Sequence, residues 1–289
     1  MRPWRSSPSR SSASRIAQSV DLEAIRKKLE RLKDYLAQRQ RVLVSFSGGV
    51  DSTLLLRVAK EVLGKDALAV LITSPLHLEQ ELREARVIAS RLGVELYELQ
   101  LDELSIPEFA KNPPERCYFC KRLRFSKIKE LSERLVIRAV LEGSNLDDLR
   151  DFRPGMRAKE ELAVLSPFVE VGMGKAEIRH MAKELGLPNW DAPPSSCLAT
   201  RIPFGIPLSR EVLERIRRAE EGLLSLGFRG SRVRYHGEVA RIEIPEAELS
   251  KAVKLRQEIA EKVKASGFRF VTLDLEGYRP SGISFGGGK

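Results

Sequence analysis

Two groups of residues in this chain have the types and spacing to do chemistry. The first is Ser45-Phe46-Ser47-Gly48-Gly49-Val50-Asp51-Ser52, where an apolar run gives way to two glycines flanked by hydroxyls and a carboxylate. Glycines let a ligand approach the backbone, and a helix starting here would add free amides and the positive end of its dipole, so the segment suits a phosphate. A kinase-type phosphate loop would need a lysine for the terminal phosphates, and this segment has none. The second group is the thiols, Cys117 and Cys120 in Arg116-Cys117-Tyr118-Phe119-Cys120-Lys121 and Cys197 in Ser195-Ser196-Cys197-Leu198-Ala199-Thr200-Arg201. Three cysteines in 289 residues are too few, and odd in number, for a disulfide scaffold, so a reduced, cytoplasmic protein is the expectation. The histidines are His77, His180 and His236, and no second pair completes a four-ligand zinc site. Three thiolates suit a 4Fe-4S cluster with one iron left open, since thiolates are the usual cluster ligands. Zinc and a redox Cys-x-x-Cys pair are the competing readings.

These groups need elements to hold them. Leu22, Ile25, Leu29, Leu32 and Leu36 mark one face of an amphipathic helix. An alternation follows: strand 41–46, helix 51–63, strand 67–73, helix 77–91, strand 94–99, helix 121–134, strand 136–142 and helix 175–185, with Gly64, Gly93 and Gly186 as stops. Buried strands alternating with helices predict an α/β doubly wound parallel sheet. Beyond Asp191-Ala192-Pro193-Pro194 the order becomes helix 210–226, strands 232–235 and 239–244 around a His236-Gly237-Glu238 turn, helix 246–265 and strand 269–275. That predicts a smaller C-terminal α+β domain over 195–289, behind a nucleotide-binding domain over 21–194. Residues 1–20 are rich in Ser and Arg, contain no acidic residue and predict a disordered basic tail.

Composition limits the function. With 42% hydrophobic and 31% charged residues and no apolar run near the roughly 20 residues of a membrane span, the sequence predicts no membrane partner. The formal charge of +10 suits an anionic partner, although Arg2, Arg5, Arg10 and Arg15 of the tail supply four of those charges. No RNA-binding module or aromatic stacking patch accompanies the charge, which argues against a nucleic-acid partner.

Ser47-Gly48-Gly49-Val50-Asp51-Ser52 resembles the signature of the PP-loop ATP pyrophosphatases, which the resemblance implies cut ATP between its α and β phosphates while an acceptor takes the adenylyl group. Together with Arg116-Cys117-Tyr118-Phe119-Cys120-Lys121, Glu142-Gly143-Ser144-Asn145-Leu146-Asp147-Asp148, Asp151-Phe152-Arg153-Pro154-Gly155, Lys175-Ala176-Glu177-Ile178-Arg179, Trp190-Asp191-Ala192-Pro193-Pro194-Ser195-Ser196-Cys197 and Val233-Arg234-Tyr235-His236-Gly237, it is similar to the LarE family from about Asp21 to Gly282. That resemblance implies an ATP-dependent sulfur transferase acting on a small-molecule nucleotide, a pyridinium dicarboxylate mononucleotide, on the way to the nickel-pincer nucleotide of lactate racemase. It implies that one carboxylate is adenylated and that sulfur then displaces AMP. Some members sacrifice the sulfur of the cysteine matching Cys197; those with three cysteines are thought to use a 4Fe-4S cluster, which Cys117, Cys120 and Cys197 would hold. Ser45, Ser47, Gly48, Gly49, Asp51 and Ser52 would bind the pyrophosphate part of ATP, with Lys175 reaching the phosphates and Asp51 or Asp147 helping Mg2+. Arg201, Arg232 and Arg234 would clamp a substrate phosphate or carboxylate, with Glu220 and Glu243 lining the same pocket. A homo-oligomer, a hexamer, is implied as well. A PP-loop tRNA thiolase and an ammonia-using ligase of the NAD or GMP synthetase type are the rival functions.

Overall fold

The computed structural model describes residues 22–149, 154–193 and 195–278. The expectations placed on the tail at 1–20, on Asp151-Phe152-Arg153, on Pro194 and on the chain from Arg279 onward fall outside the described residues. Strands β1 (Val42–Phe46), β2 (Ala67–Thr73), β3 (Glu95–Gln100) and β4 (Ala139–Leu141) form one sheet in the order β3-β2-β1-β4, every pair parallel. Successive side chains of a strand point to opposite faces. Val42, Val44, Phe46, Ala67, Ala69 and Leu71 therefore pack into one core with the helices Leu22–Ala37, Val50–Leu63 and Lys175–Glu184, through residues such as Leu32, Leu55 and Ile178. Leu43, Leu68, Val70 and Ile72 face the other way, onto Phe125, Ile128 and Leu131 of the helix Arg116–Arg134. With both faces covered, the doubly wound architecture expected from the sequence is present. Each fully buried Leu or Val on these faces contributes about 1.5–3 kcal/mol relative to exposure.

Of the expected amphipathic stripe, Ile25, Leu29, Leu32 and Leu36 are buried, while Leu22, the first residue of the helix, is exposed. The helix Val50–Leu63 differs: Leu54, Leu55 and Leu56 are all fully buried, as befits a helix enclosed between the sheet and its neighbours. β4 spans three residues where seven were expected, because Val136, at φ +54°, and Ile137 still bond back to the end of the helix Arg116–Arg134, and the chain leaves the sheet at Glu142.

The C-terminal part holds a second sheet, β5 (Arg232–His236), β6 (Val239–Glu243) and β7 (Phe270–Leu273), in the order β5-β6-β7. β5 and β6 are an antiparallel hairpin whose turn places Gly237 at φ +67°, a left-handed conformation glycine adopts without strain. β7 joins β6 in parallel. The single helix expected over 246–265 is broken at Leu255 (φ −93°, ψ 21°) into Leu249–Lys254 and Arg256–Ala265, which lets Ala252 and Leu255 join Ile259 and Val263 on the same core. That core also takes Leu76, Phe109, Phe119 and Cys120 from the preceding part of the chain. Among the described residues no helix is long and apolar enough to cross a membrane.

Candidate active site

β2 and β3 extend the sheet on one side of β1 and β4 on the other, so the strand order reverses at β1. The carboxyl end of a strand at such a reversal is where doubly wound sheets bind ligands. Ser45 lies within β1, and Ser47 to Ser52 follow from its carboxyl end. The Ser47 amide donates to Ser52 Oγ at 3.2 Å, the two hydroxyls lie 3.1 Å apart, and Ser52 Oγ reaches the Gly49 carbonyl at 3.1 Å, closing a compact ring at the start of the helix Val50–Leu63. Gly49 is the N-cap and no side chain caps the helix, which leaves its first turn to an anion. Gly48 has φ +75°, and a Cβ there would lie 2.8 Å from Ala85 Cβ. Gly143, in the loop after β4, approaches just as closely: its Cβ would lie 3.0 Å from the Ser52 amide.

Lys175 opens the helix Lys175–Glu184 and directs Nζ onto Asp51 Oδ2 at 2.5 Å, while its backbone amide donates to Asp147 Oδ2 at 2.7 Å. The loop, Lys175 and both proposed metal carboxylates are thus gathered in one crevice. Burial raises the Asp51 carboxyl above its ordinary value, with Lys175 opposing. Asp51 Oδ1 is buried with no hydrogen-bond partner, an oxygen whose desolvation a hard cation would offset, so the residues fit Mg2+. Sequence reasoning missed Asn189, whose amide donates to the Gly48 carbonyl at 2.7 Å and to Thr53 Oγ1 at 2.9 Å. A lone Asn after a helix carries no signal for such a long-range contact.

Cys117 and Cys120 lie in the first turn and a half of the helix Arg116–Arg134, which begins earlier than the sequence suggested. Cys120 and Cys197 are half-buried and Cys117 is exposed. The three thiols lie in one another's fields. Burial pushes the Cys120 thiol up to about 12, with Glu103, Cys197 and Cys117 adding to the rise and Arg124 opposing. The surroundings of the Cys117 sulfur and then Cys197 raise that thiol too, against Arg116 and Lys121. Among the described residues no three His, Cys, Asp or Glu side chains are arranged to hold a single metal ion. Glu103, which the sequence did not single out, is wholly buried, accepts from Arg124 Nε at 2.7 Å and lies 4.0 Å from the Cys120 sulfur.

The expected clamp residues surround the Cys197 turn, and most of their polar groups point into the protein. Arg201 pairs with Glu220 through bonds of 2.8 and 3.0 Å, and its remaining nitrogen donates to the Ser196 carbonyl at 2.8 Å, the Ser196 hydroxyl at 2.7 Å and Thr200 Oγ1 at 2.8 Å. Glu220 also accepts from the Val233 amide at 2.9 Å. Arg234 donates to Glu243 and to the Thr200 carbonyl, both at 2.8 Å. Arg232 donates to the Ser231 carbonyl at 2.8 Å and sits 5.2 Å above the Tyr278 ring; burial and then nearby Arg201 disfavour its charge, while Glu220 opposes them. Of the expected clamp, Arg201, Glu220, Arg234 and Glu243 therefore build the wall that fixes the Cys197 turn.

One helix links the two groups. Ala85 of the helix Glu79–Arg91 packs under Gly48, and Glu81, one turn earlier, accepts from Ser195 Oγ at 2.6 Å. Residues four apart on a helix share a face about one pitch, or roughly 5.4 Å, apart along its axis. The segment leading into Cys197 and the phosphate loop are thus neighbours on that face.

A parallel doubly wound sheet with a lysine-free Ser-Gly-Gly-x-Asp-Ser loop at its switch point defines a PP-loop protein. Residues 24–114 match the family described as NAD synthase. The chain is 40% identical over 254 residues to "Uncharacterized protein slr1717" of Synechocystis sp., covering 87% of this chain and 95% of that one. It is 38% identical over 245 residues to the pyridinium-3,5-bisthiocarboxylic acid mononucleotide synthase of Lactiplantibacillus plantarum, covering 84% of this chain and 89% of the relative. A tRNA-specific 2-thiouridylase of Azorhizobium caulinodans is 31% identical over 214 residues, covering 61% of this chain and 54% of the relative. The chain belongs to the LarE family, that of the Lactiplantibacillus plantarum synthase.

Proposed function

We propose that this protein is an ATP-dependent sulfur transferase that adenylates a carboxylate of pyridinium-3,5-biscarboxylic acid mononucleotide and replaces the AMP with sulfur, giving a thiocarboxylate for the nickel-pincer nucleotide. The observation that carries the reading is the single helix holding the Gly48 loop at Ala85 and the Cys197 segment at Glu81, because adenylation and sulfur delivery must meet at one carbon. A carboxylate oxygen attacks the α-phosphorus of ATP and pyrophosphate leaves into the loop. The amides at the start of the helix Val50–Leu63, the Ser47 and Ser52 hydroxyls and Lys175 hold that leaving group, and Asp51 with Asp147 would hold Mg2+, which spreads the developing charge. A sulfur nucleophile then adds to the acyl carbon and AMP departs, a substitution with no net oxidation or reduction.

Cys117, Cys120 and Cys197 would hold a 4Fe-4S cluster, which would supply sulfide-level sulfur through its open iron. Each thiolate of such a cluster binds a different iron, so the three must surround a body rather than converge on a point. Their shared electrostatic field supports this, as do Arg116, Arg124 and Lys121 beside them, whose charges offset an anionic cluster. Arg232, beside Arg201 and Glu220, would meet a substrate phosphate or carboxylate. A cytoplasmic homo-hexamer remains part of the proposal by family resemblance. Purification without oxygen, followed by iron and acid-labile sulfide assays and the intact mass before and after turnover, tests the sulfur route. About four iron per chain, with about four acid-labile sulfides and about one more when the open iron is loaded, are expected for a full cluster. Absence of iron, with conversion of Cys197 to dehydroalanine on turnover, would replace the cluster by a sacrificial cysteine.

A further inference from the structure

The segment that follows Cys197 is tied to the start of the cysteine helix at a joint centred on Asn112. Asn112 is fully buried, at φ +57°, a left-handed conformation that Asn tolerates better than most residues. Its amide nitrogen donates to the Pro203 carbonyl at 2.8 Å and the Ile206 carbonyl at 2.9 Å, both across more than ninety residues of chain. Its amide oxygen accepts from Arg116 Nη1, next to Cys117. Its backbone carbonyl accepts from the Gly205 amide at 2.9 Å, and Ala110 does the same for Leu208 at 2.8 Å. The Arg116 guanidinium completes the joint 4.4 Å above the Phe204 ring.

We propose that Asn112 is a positioning residue that sets Cys197 against Cys117 and Cys120, through the two backbone carbonyls its amide holds and the Arg116 it orients. The proposal rests on the reading that the three thiols act together. An Asn side chain has two N–H donors and an acceptor. Here both donors cross to the Cys197 side of the chain, while the acceptor takes Arg116, four residues on and next to Cys117, so one side chain bridges the two. Aspartate has nearly the same shape and also tolerates this backbone, but it would turn an acceptor toward the two carbonyls. Glycine keeps the turn and the backbone bonds and removes the side-chain part of the joint.

The test uses the full chain, reduced and metal-free, as the wild type, Asn112→Asp and Asn112→Gly. Each is treated with bis-maleimides of graded span, and peptide mass mapping scores the joining of Cys197 to Cys117 or Cys120. At the shortest span that joins these thiols in the wild type, both variants should react about tenfold or more slowly, the population change expected on losing two hydrogen bonds of about 1 kcal/mol each. They should need a longer reagent while keeping one cooperative thermal transition, and glycine serves should aspartate fail to fold. Wild-type joining in both variants overturns the proposal. The iron content of the wild type is measured separately. Wild type without iron but with impaired joining in the variants sinks the cluster and leaves Asn112 standing; wild type with iron and normal joining in the variants does the reverse.

Discussion

Replacing Glu220 by alanine isolates what holds the Cys197 turn. Arg201 and Glu220 are 2% and 3% exposed, and the carboxylate accepts two bonds from the guanidinium and one from the Val233 amide. Burial works against the Arg201 charge, and Glu220, with Cys197 and Glu81 adding, more than restores it. Without Glu220 the guanidinium is a buried, uncompensated cation, worth about 3–5 kcal/mol of destabilisation when one partner of a buried pair is removed. The orphaned Val233 amide adds about 1 kcal/mol. A total of about 4–6 kcal/mol corresponds to a fall in melting temperature of roughly 10–20 °C for a chain of this size. Urea unfolding followed by circular dichroism measures the free energy directly. The double variant Arg201→Met/Glu220→Met removes both charges at similar volume and should recover most of the loss. It should not recover sulfur transfer, because Arg201 also holds Ser196 and Thr200 around the thiol. A cost below about 1 kcal/mol for Glu220→Ala, or no recovery in the double variant, would refute the reasoning.

Gly48→Ala places a side chain on a left-handed backbone and 2.8 Å from Ala85 Cβ, so pyrophosphate release should fall at least about a hundredfold in steady-state assays. Asp51→Asn should abolish ATP cleavage yet raise the melting temperature of the unliganded protein near neutral pH. Burial raises the Asp51 carboxyl, so its contribution to stability is greatest in acid and is lost as the pH rises through the folded-state value; melting curves of the two proteins should converge in acid. His77 is lowered from 6.5 to about 3, by burial and then Arg124, so the wild type should lose stability as the pH falls below 6.5. His77→Gln should flatten that part of the stability profile.

Much of the sheet was legible because buried parallel strands are continuous apolar runs: 67–73 reads as a strand and is one to the residue. The loop was legible because its requirement for glycine at φ +75° and its hydroxyl ring are local. Lys175 was legible as a residue but not in its contact, since its partner Asp51 lies 124 positions away. The arginines were legible as a group near the Cys197 turn, but their partners in the protein were not. Sequence shows that Arg201 carries a fork of donors, not that Glu220 and the Cys197 turn occupy them. Glu103 and Asn112 left no signal, because an isolated acid or amide in a loop reads as solvated until the chain folds over it.

The phosphate loop and the Cys197 segment, held by one helix, are proposed to activate a carboxylate with ATP and to supply sulfur to it. Incubating the anaerobically purified protein with ATP, Mg2+ and pyridinium-3,5-biscarboxylic acid mononucleotide, then resolving the products by liquid chromatography and mass spectrometry, tests it most directly. AMP and pyrophosphate in equal amounts, with substrate that has exchanged a carboxylate oxygen for sulfur, is the predicted result. Release of ADP, or of AMP and pyrophosphate only when tRNA is added, would contradict it.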